Sequence, residues 1–212
     1  MTRRLALSIS ILLHPLLLPS YLFACLFGFV PEIMGVSILD LSAQGSLLLL
    51  IFLNTFLLPS ICIYYLYRAR YIPSMHMNQP EDRRLPYMVT VILYMATTYV
   101  LKFKLSPISE MAPRLAAGLG GITFSLLVVL LVNRYWKISA HATGIGGVIG
   151  IIGCVLFKFN TDMLLFPMLG WILIGGFLCS ARLYLNAHTP AQILAGLGTG
   201  IISAIFTVFF WF

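Results

Sequence analysis

The stretch AHATGIGGVIGIIGCVLFK, residues 140–158, shows what kind of fold this chain can form. No charged residue separates His141 from Lys158, and the run is rich in glycine. A helix that crosses a hydrocarbon core of about 30 Å needs roughly 17–25 mostly apolar residues. Residues 140–158 therefore predict a membrane-spanning helix, and its small residues would let a neighbouring helix approach closely.

Six further apolar runs share this character. The first is interrupted by Pro15 and Pro19, which predict a kink. None of the runs alternates as the strands of a β-barrel do, and in lipid the backbone must then satisfy its hydrogen bonds in helices. We expect an all-α, polytopic transmembrane helical bundle with about six to seven spans. The six runs are 5–30, 45–67, 86–102, 113–133, 162–181 and 190–212.

Composition places the whole chain in the membrane. Its 212 residues are 60% hydrophobic and only 9% charged, whereas soluble domains carry about 25% charged residues. The length suits a single membrane domain, 1–212, and the long first run is better explained by a retained span than by a cleaved signal. The four cysteines lack metal-binding spacing and are expected to be small apolar fillers.

Small residues are dense in the last four runs, where they predict close helix packing. The segments are AAGLGG (116–121), GIGGVIG (144–150), GWILIGG (170–176) and AGLGTG (195–200).

The net charge of +7 indicates orientation in a bilayer, not nucleic-acid binding. Seven crossings would place nine Lys and Arg residues on the face with the N-terminus, 68–85, 134–139 and 182–189, and four on the other. The positive-inside rule puts the first face in the cytoplasm.

Three polar segments lie on that first face: EDRRLPY (81–87), RYWKISAHATG (134–144) and ARLYLNAHTPAQ (181–192). Ionisable residues at membrane depth are candidates for function, which singles out His141 and His188. His14, beside Pro15, and His76, in a polar loop, are expected to be interfacial residues with hydrogen-bonded rings. Most other arginines are expected to be topology anchors: Arg3, Arg4, Arg68, Arg70 and Arg134.

The last two segments resemble motifs of the type 2 phosphatidic acid phosphatase superfamily, which includes the vanadium haloperoxidases. The second motif of the family, Pro-Ser-Gly-His, corresponds to Ile138-Ser139-Ala140-His141. The third, Ser-Arg, five residues, His, three residues, Asp, corresponds to Ala181-Arg182, five residues, His188, three residues and Gln192. For the first motif, Lys, six residues, Arg-Pro, the chain has only Arg83, Arg84 and Pro86, without the lysine. The resemblance covers about residues 80–200, and the HTPAQ ending resembles a bacterial membrane subgroup.

The resemblance implies a cradle for a phosphate group. Arg182 would neutralise the phosphate together with Arg84 or Arg83 and with Lys137. Ser139 and the backbone N–H groups of a helix start would add hydrogen-bond donors. It implies no cofactor and no metal, and the sequence shows no carboxylate cluster to bind one.

The resemblance also implies the chemistry. His188 would attack phosphorus as a neutral imidazole and form a phosphohistidine, and His141 would protonate the leaving oxygen and then assist water. Gln192, where the family has Asp, can orient His188 through its carbonyl oxygen but cannot offset a positive charge.

Three functions follow as alternatives. The first is an integral-membrane lipid phosphatase acting on phosphatidate, phosphatidylglycerophosphate or a polyprenyl phosphate or diphosphate, in a bacterial inner membrane. The second is a catalytically weak or inactive lipid-phosphate-binding or transport protein on the same fold, which Gln192 and the missing lysine favour. The third is an unrelated structural or transport protein with incidental histidines. Convergence of His141, His188, Arg182 and one of Arg83 and Arg84 in one pocket would disfavour the third. The membrane face stays open, because many family members work on the outer side.

Overall fold

A computed structural model describes residues 1–75, 77, 79, 81–106 and 108–212. The regular secondary structure in these ranges is helical throughout. Short 3-10 turns at Glu81–Arg83 and Asp162–Leu164 lead into two of the helices. In chain order the α-helices are α1 Arg3–Leu12, α2 Leu18–Phe29, α3 Pro31–Met34, α4 Leu41–Phe52, α5 Leu58–Arg68, α6 Arg84–Phe103, α7 Ile108–Met111, α8 Pro113–Val132, α9 Ala140–Lys158, α10 Leu165–Tyr184 and α11 Pro190–Trp211.

Six helical segments in the described ranges are long and apolar enough to cross a membrane. The chain is therefore an integral membrane protein built as a polytopic helical bundle, which confirms the predicted fold class. The four cysteines are free thiols and half-buried. The segments are Leu41–Arg68, Glu81–Phe103, Pro113–Val132, Ala140–Lys158, Asp162–Tyr184 and Pro190–Trp211.

The first apolar run forms two short helices, where the sequence predicted one kinked span. α1 has 10 residues and α2 has 12, and residues 13–17 separate them. Pro15 breaks the helix because it lacks an N–H and its ring clashes with the preceding turn. Pro19 lies in the first turn of α2, where a missing N–H costs nothing. The Tyr21 hydroxyl donates to the Leu12 carbonyl at 3.1 Å and ties the two pieces together.

The span Leu41–Arg68 also accommodates a proline, but without breaking. A π-helical turn, Leu53–Leu57, joins α4 to α5 just before Pro59. Pro59 cannot donate to the Thr55 carbonyl one turn earlier, and the Tyr94 hydroxyl on α6 donates to that oxygen instead, at 2.8 Å. A buried carbonyl in the apolar interior thus keeps a partner.

The tightest helix contact runs in parallel between α9 and α11, where glycines let the two backbones meet. A β-carbon at Gly146 would lie 2.6 Å from the Leu197 carbonyl oxygen, and one at Gly196 would lie 2.6 Å from the Ser139 carbonyl oxygen. At Gly200 it would collide with the Thr143 carbonyl. At one end of this pair the Ser139 N–H donates to the Gln192 carbonyl at 3.3 Å. The small residues identified in the sequence therefore hold α9 and α11 in register.

We expect Gly200→Ala to destabilise the bundle by about 1–3 kcal/mol, because the added methyl overpacks a backbone contact. Gly198→Ala is the matched control on the same helix, since a β-carbon there meets nothing within 4 Å. Alanine is a better helix former than glycine by up to about 1 kcal/mol, so the control should be neutral or stabilising. Thermal unfolding in detergent measures both, and equal losses would contradict this account of the interface.

Candidate functional site

A cavity of about 430 Å³ opens where α6, α9 and α11 begin and α10 ends. The cavity wall includes four residues that the sequence analysis expected to act together: Arg83, His141, Arg182 and His188. Among the described residues of its wall there is no Asp or Glu, and much of the remainder is apolar. The cavity therefore combines two guanidinium groups and imidazole rings with a largely apolar wall, at one end of the membrane bundle.

The turn between α10 and α11 explains the spacing of Arg182 and His188. Arg182 lies in the last turn of α10, and the Ala187 N–H donates back to its carbonyl oxygen at 3.1 Å. Asn186 adopts a left-handed conformation, φ 51°, which asparagine tolerates and which commonly ends a helix. The chain reverses within five residues, and both side chains reach the same cavity.

The start of α11 holds the His188 ring. Thr189 caps the helix with its hydroxyl oxygen, and the Gln192 side chain completes a capping box by accepting the Thr189 N–H at 3.2 Å. The same oxygen, Gln192 Oε1, lies 3.1 Å from His188 Nδ1. Because an amide oxygen only accepts, Nδ1 carries the proton and Nε2 keeps its lone pair in the neutral ring. Gln192 thus caps the helix and orients the histidine.

Burial and nearby cations keep His188 neutral. Desolvation, opposed by the Gln192 hydrogen bond and reinforced by Arg182, Arg83 and Lys137, lowers its pKa to about 4. At neutral pH the ring is therefore an uncharged imidazole with a free nitrogen. It would lose that lone pair only as the pH falls towards 4.

His141 is held from the N-terminal segment. Its Nε2 lies 3.1 Å from the Ser10 carbonyl oxygen at the end of α1. A carbonyl accepts only, so Nε2 carries the proton and Nδ1 is unprotonated in the neutral ring. Arg182 and His188 lie within electrostatic range of this ring.

The two cavity arginines differ in how they are satisfied. Arg83 is buried, its Nε donates to the Met77 carbonyl at 2.9 Å, and its guanidinium lies beside the Tyr87 hydroxyl. Arg182 Nε is buried without a hydrogen-bond partner in the described part of the chain. A buried donor left unpaired costs about 1–3 kcal/mol, so an acceptor bound in the cavity would relieve that cost.

Cations at the opposite end of the bundle behave differently. Arg114 Nη1 donates to the Ile33 carbonyl at 2.6 Å, and its Nε donates to the Phe212 carbonyl at 3.0 Å. Lys158 Nζ donates to the Val208 carbonyl at 2.8 Å. Both side chains donate hydrogen bonds to carbonyl groups near helix ends. Their role is therefore structural, in contrast to that of Arg182.

Two residues expected in the phosphate cradle do not reach the cavity. Arg84 is exposed and absent from the wall, because the helix turns it away when Arg83 faces inward. Ser139 is fully buried and also absent from the wall; its hydroxyl oxygen accepts the Ala142 N–H at 3.3 Å and caps α9. Of the two alternatives Arg83 and Arg84, Arg83 lines the cavity, and Ser139 lies outside its wall.

Lys137, also expected in the phosphate cradle, lies near the cavity but outside its wall. It does not line the cavity, yet it lies within electrostatic range of His188, Arg83 and Arg182. Burial, together with Arg83 and Arg182, lowers its pKa from the usual value. Lys137 thus contributes positive potential near the cavity without being part of its wall.

Two wall residues were not singled out in the sequence as site residues. His14, expected to be an interfacial residue, lines the cavity next to His141. Tyr87, four residues after Arg83, lines it too, and that one-turn spacing was the available signal. His76 lies outside the described residues. Within the described ranges no group of three or more His, Cys, Asp or Glu is arranged to hold a metal ion.

Comparison with protein-family models, with curated proteins and with solved structures gives no match. The resemblance to the phosphatase superfamily therefore stays a prediction from motifs.

We expect Gln192→Glu to raise the His188 pKa by about one unit or more, because a carboxylate favours the imidazolium. Glutamate also preserves the capping box, so the helix start should survive. Gln192→Met removes the acceptor and should move the pKa below the wild-type value. NMR titration of histidine-labelled protein in detergent measures all three, and identical pKa values would show that Gln192 does not act on His188.

Proposed function

We propose that this chain is an integral-membrane lipid phosphatase that works through a phosphohistidine on His188. The observation that carries the proposal is the cavity in which His188, with Nδ1 held by Gln192, shares the wall with Arg182, Arg83 and His141. A nucleophile, an orienting group, cations and a second imidazole are together sufficient for metal-independent phosphoryl transfer through a phosphohistidine.

In the first step the lone pair of His188 Nε2 attacks phosphorus, and the bond from phosphorus to the lipid oxygen breaks. The electron pair goes to that oxygen, and His141 supplies the proton from its imidazolium form, which the negative charge of the bound phosphate would favour. Because Nε2 of His141 is held against the Ser10 carbonyl, Nδ1 is the nitrogen available to give it. The products are a dephosphorylated lipid and phosphohistidine.

In the second step water attacks the phosphohistidine, and His141, now neutral, accepts a proton from that water at Nδ1. The bond between phosphorus and nitrogen breaks and its electron pair returns to Nε2 of His188. Inorganic phosphate leaves, and both histidines regain their starting states.

Arg182 and Arg83 are the groups proposed to bind the phosphate. Their guanidinium groups offer charge-assisted hydrogen bonds to its oxygens, and the unpaired Arg182 Nε is a donor ready for one. The apolar wall includes Leu7, Ile11 and Leu16, and it suits a hydrocarbon tail beside the headgroup. The substrate class is therefore a phosphorylated membrane lipid: phosphatidate, phosphatidylglycerophosphate or a polyprenyl phosphate or diphosphate.

One observation favours the second candidate, a lipid-phosphate binder or transporter with little or no hydrolysis. Gln192 is neutral and is already engaged in the capping box, so it offers no charge to stabilise a cationic His188 during attack. Incubation of purified protein with each of the three lipid classes separates the candidates. Bound lipid without phosphate release would favour the binder.

We further propose a bacterial inner membrane as the location. The excess of cations on the face that carries the cavity favours the cytoplasmic side, whereas the family resemblance favours the outer side. A topology reporter fused at residue 75, in the loop before α6, decides between them.

His188→Ala should reduce phosphate release on the order of a thousandfold or more, because the side chains of the site do not replace a nucleophile. It should also abolish a covalent phosphoryl label on the protein after acid-free quenching. Unfolding temperature serves as the folding control. Retained release or a retained label on folded protein would exclude His188 as the nucleophile.

Arg83→Ala and Arg84→Ala form a matched pair of adjacent substitutions with equal loss of charge. Arg83→Ala should lower kcat/KM by roughly 10–100-fold, since a charge-assisted hydrogen bond contributes about 1.5–3 kcal/mol. Arg84→Ala should stay near wild type, because Arg84 is exposed and outside the cavity. The same kinetic assay on phosphatidate in mixed micelles measures both, and equal effects would contradict the inward placement of Arg83.

A further inference from the structure

His14 lies in the break between α1 and α2 and lines the same cavity as His141 and Arg182. Its ring meets the His141 ring edge-on, with centroids 5.7 Å apart and planes at 80°. Arg182 is within electrostatic range of both rings. The break in the first apolar run thus delivers a third imidazole to the cavity from outside residues 80–200.

The tautomer of His14 follows from its own backbone. The Leu16 N–H donates to His14 Nδ1 at 3.3 Å. A nitrogen that accepts this hydrogen bond carries no proton, so the neutral ring carries its proton on Nε2. His14 and His188 are therefore opposite tautomers: Nδ1–H on His188 leaves Nε2 as a nucleophile, whereas His14 keeps Nε2–H as a donor.

The N-terminal segment is firmly attached at this position. The Ser10 carbonyl lies 3.1 Å from His141 Nε2, and the Tyr21 hydroxyl bridges the break to Leu12. α1 packs against α10, the helix that carries Arg182. His14 is consequently held at the cavity wall by a segment tied to α9 and α10.

We propose that His14 is a phosphate-binding residue that donates its Nε2–H to an oxygen of the phosphoryl group held by Arg182 and Arg83. The proposal rests on the proposed function in one respect, namely that the ligand of the cavity is a phosphate group. It extends the site to the N-terminal segment and gives His14 a role different from those of His141 and His188: a donor that neither attacks phosphorus nor exchanges a proton with the leaving group.

The competing explanation is that His14 only satisfies the Leu16 N–H, which Pro15 leaves outside a regular helix. Two substitutions separate the explanations, because each keeps the hydrogen-bonding capacity of a different ring nitrogen. His14→Asn places an amide oxygen near the position of Nδ1, so it keeps the acceptor for Leu16 and loses the distant donor. His14→Gln carries an amide N–H near the position of Nε2 and keeps a donor that reaches the cavity.

The experiment measures binding of inorganic phosphate to the full chain in detergent by phosphorus NMR, with unfolding temperature and hydrolysis of phosphatidate recorded on the same samples. We expect His14→Asn to weaken phosphate binding about tenfold, as loss of a hydrogen bond of about 1.4 kcal/mol does. Its unfolding temperature should stay at the wild-type value, and His14→Gln should bind more tightly than His14→Asn. In the wild type, the Nε2–H signal of His14 should shift as phosphate is added.

Wild-type affinity in His14→Asn, or a His14 signal that phosphate does not move, overturns the proposal. If His14→Asn fails to fold, the wild-type signal and the affinity of His14→Gln decide the question. A wild-type chain that binds phosphate with these effects at His14 but hydrolyses none of the three lipid classes rejects the phosphatase function and supports the His14 proposal. A wild-type chain that hydrolyses a lipid phosphate but binds no inorganic phosphate overturns the His14 proposal alone, and one that does neither overturns both.

Discussion

The site depends on the close contact between α9 and α11. Glycines at 146, 196 and 200 let the two backbones meet at distances that a β-carbon would prevent. His141 lies in the first turn of α9, and His188 lies two residues before α11. The separation of the two imidazoles is therefore set by helix packing, which is strong in lipid only where small residues allow close van der Waals contact. The stability and the geometry of the site have the same physical origin.

Electrostatics explains why the cavity suits an anion. Among its described wall residues, two guanidinium groups face no carboxylate, and one buried donor, Arg182 Nε, has no partner in the described chain. Such an arrangement is costly in a region of low dielectric constant unless a ligand compensates it. Burial, together with the same cations, lowers the pKa of His188 and keeps its ring uncharged at neutral pH. The cations proposed to bind a phosphate thus also favour the neutral form of His188.

Hydrogen bonds at helix ends decide which ring nitrogen of His141 and of His188 carries the proton. Gln192 fixes His188 while it completes the capping box of α11, and the Ser10 carbonyl fixes His141. Both partners are neutral, so they select a tautomer without adding charge. The N-terminal segment contributes Ser10 and His14 because Pro15 interrupts the first apolar run there. A site placed by sequence within residues 80–200 is therefore completed by residues far outside that range.

The sequence by itself determined the helical bundle, because apolar runs of sufficient length must satisfy their backbone hydrogen bonds within helices in lipid, whatever their neighbours are. The resemblance to the third family motif also predicted that Arg182 and His188 act together, and both line the cavity. Only the tertiary structure decided that Arg83 faces inward while Arg84 is exposed, that Ser139 caps a helix, and that His14 reaches the cavity. Adjacent residues on a helix point about 100° apart, so their roles depend on where the helix begins and which side it packs. Those two quantities are set by contacts between helices, which a local sequence pattern does not contain.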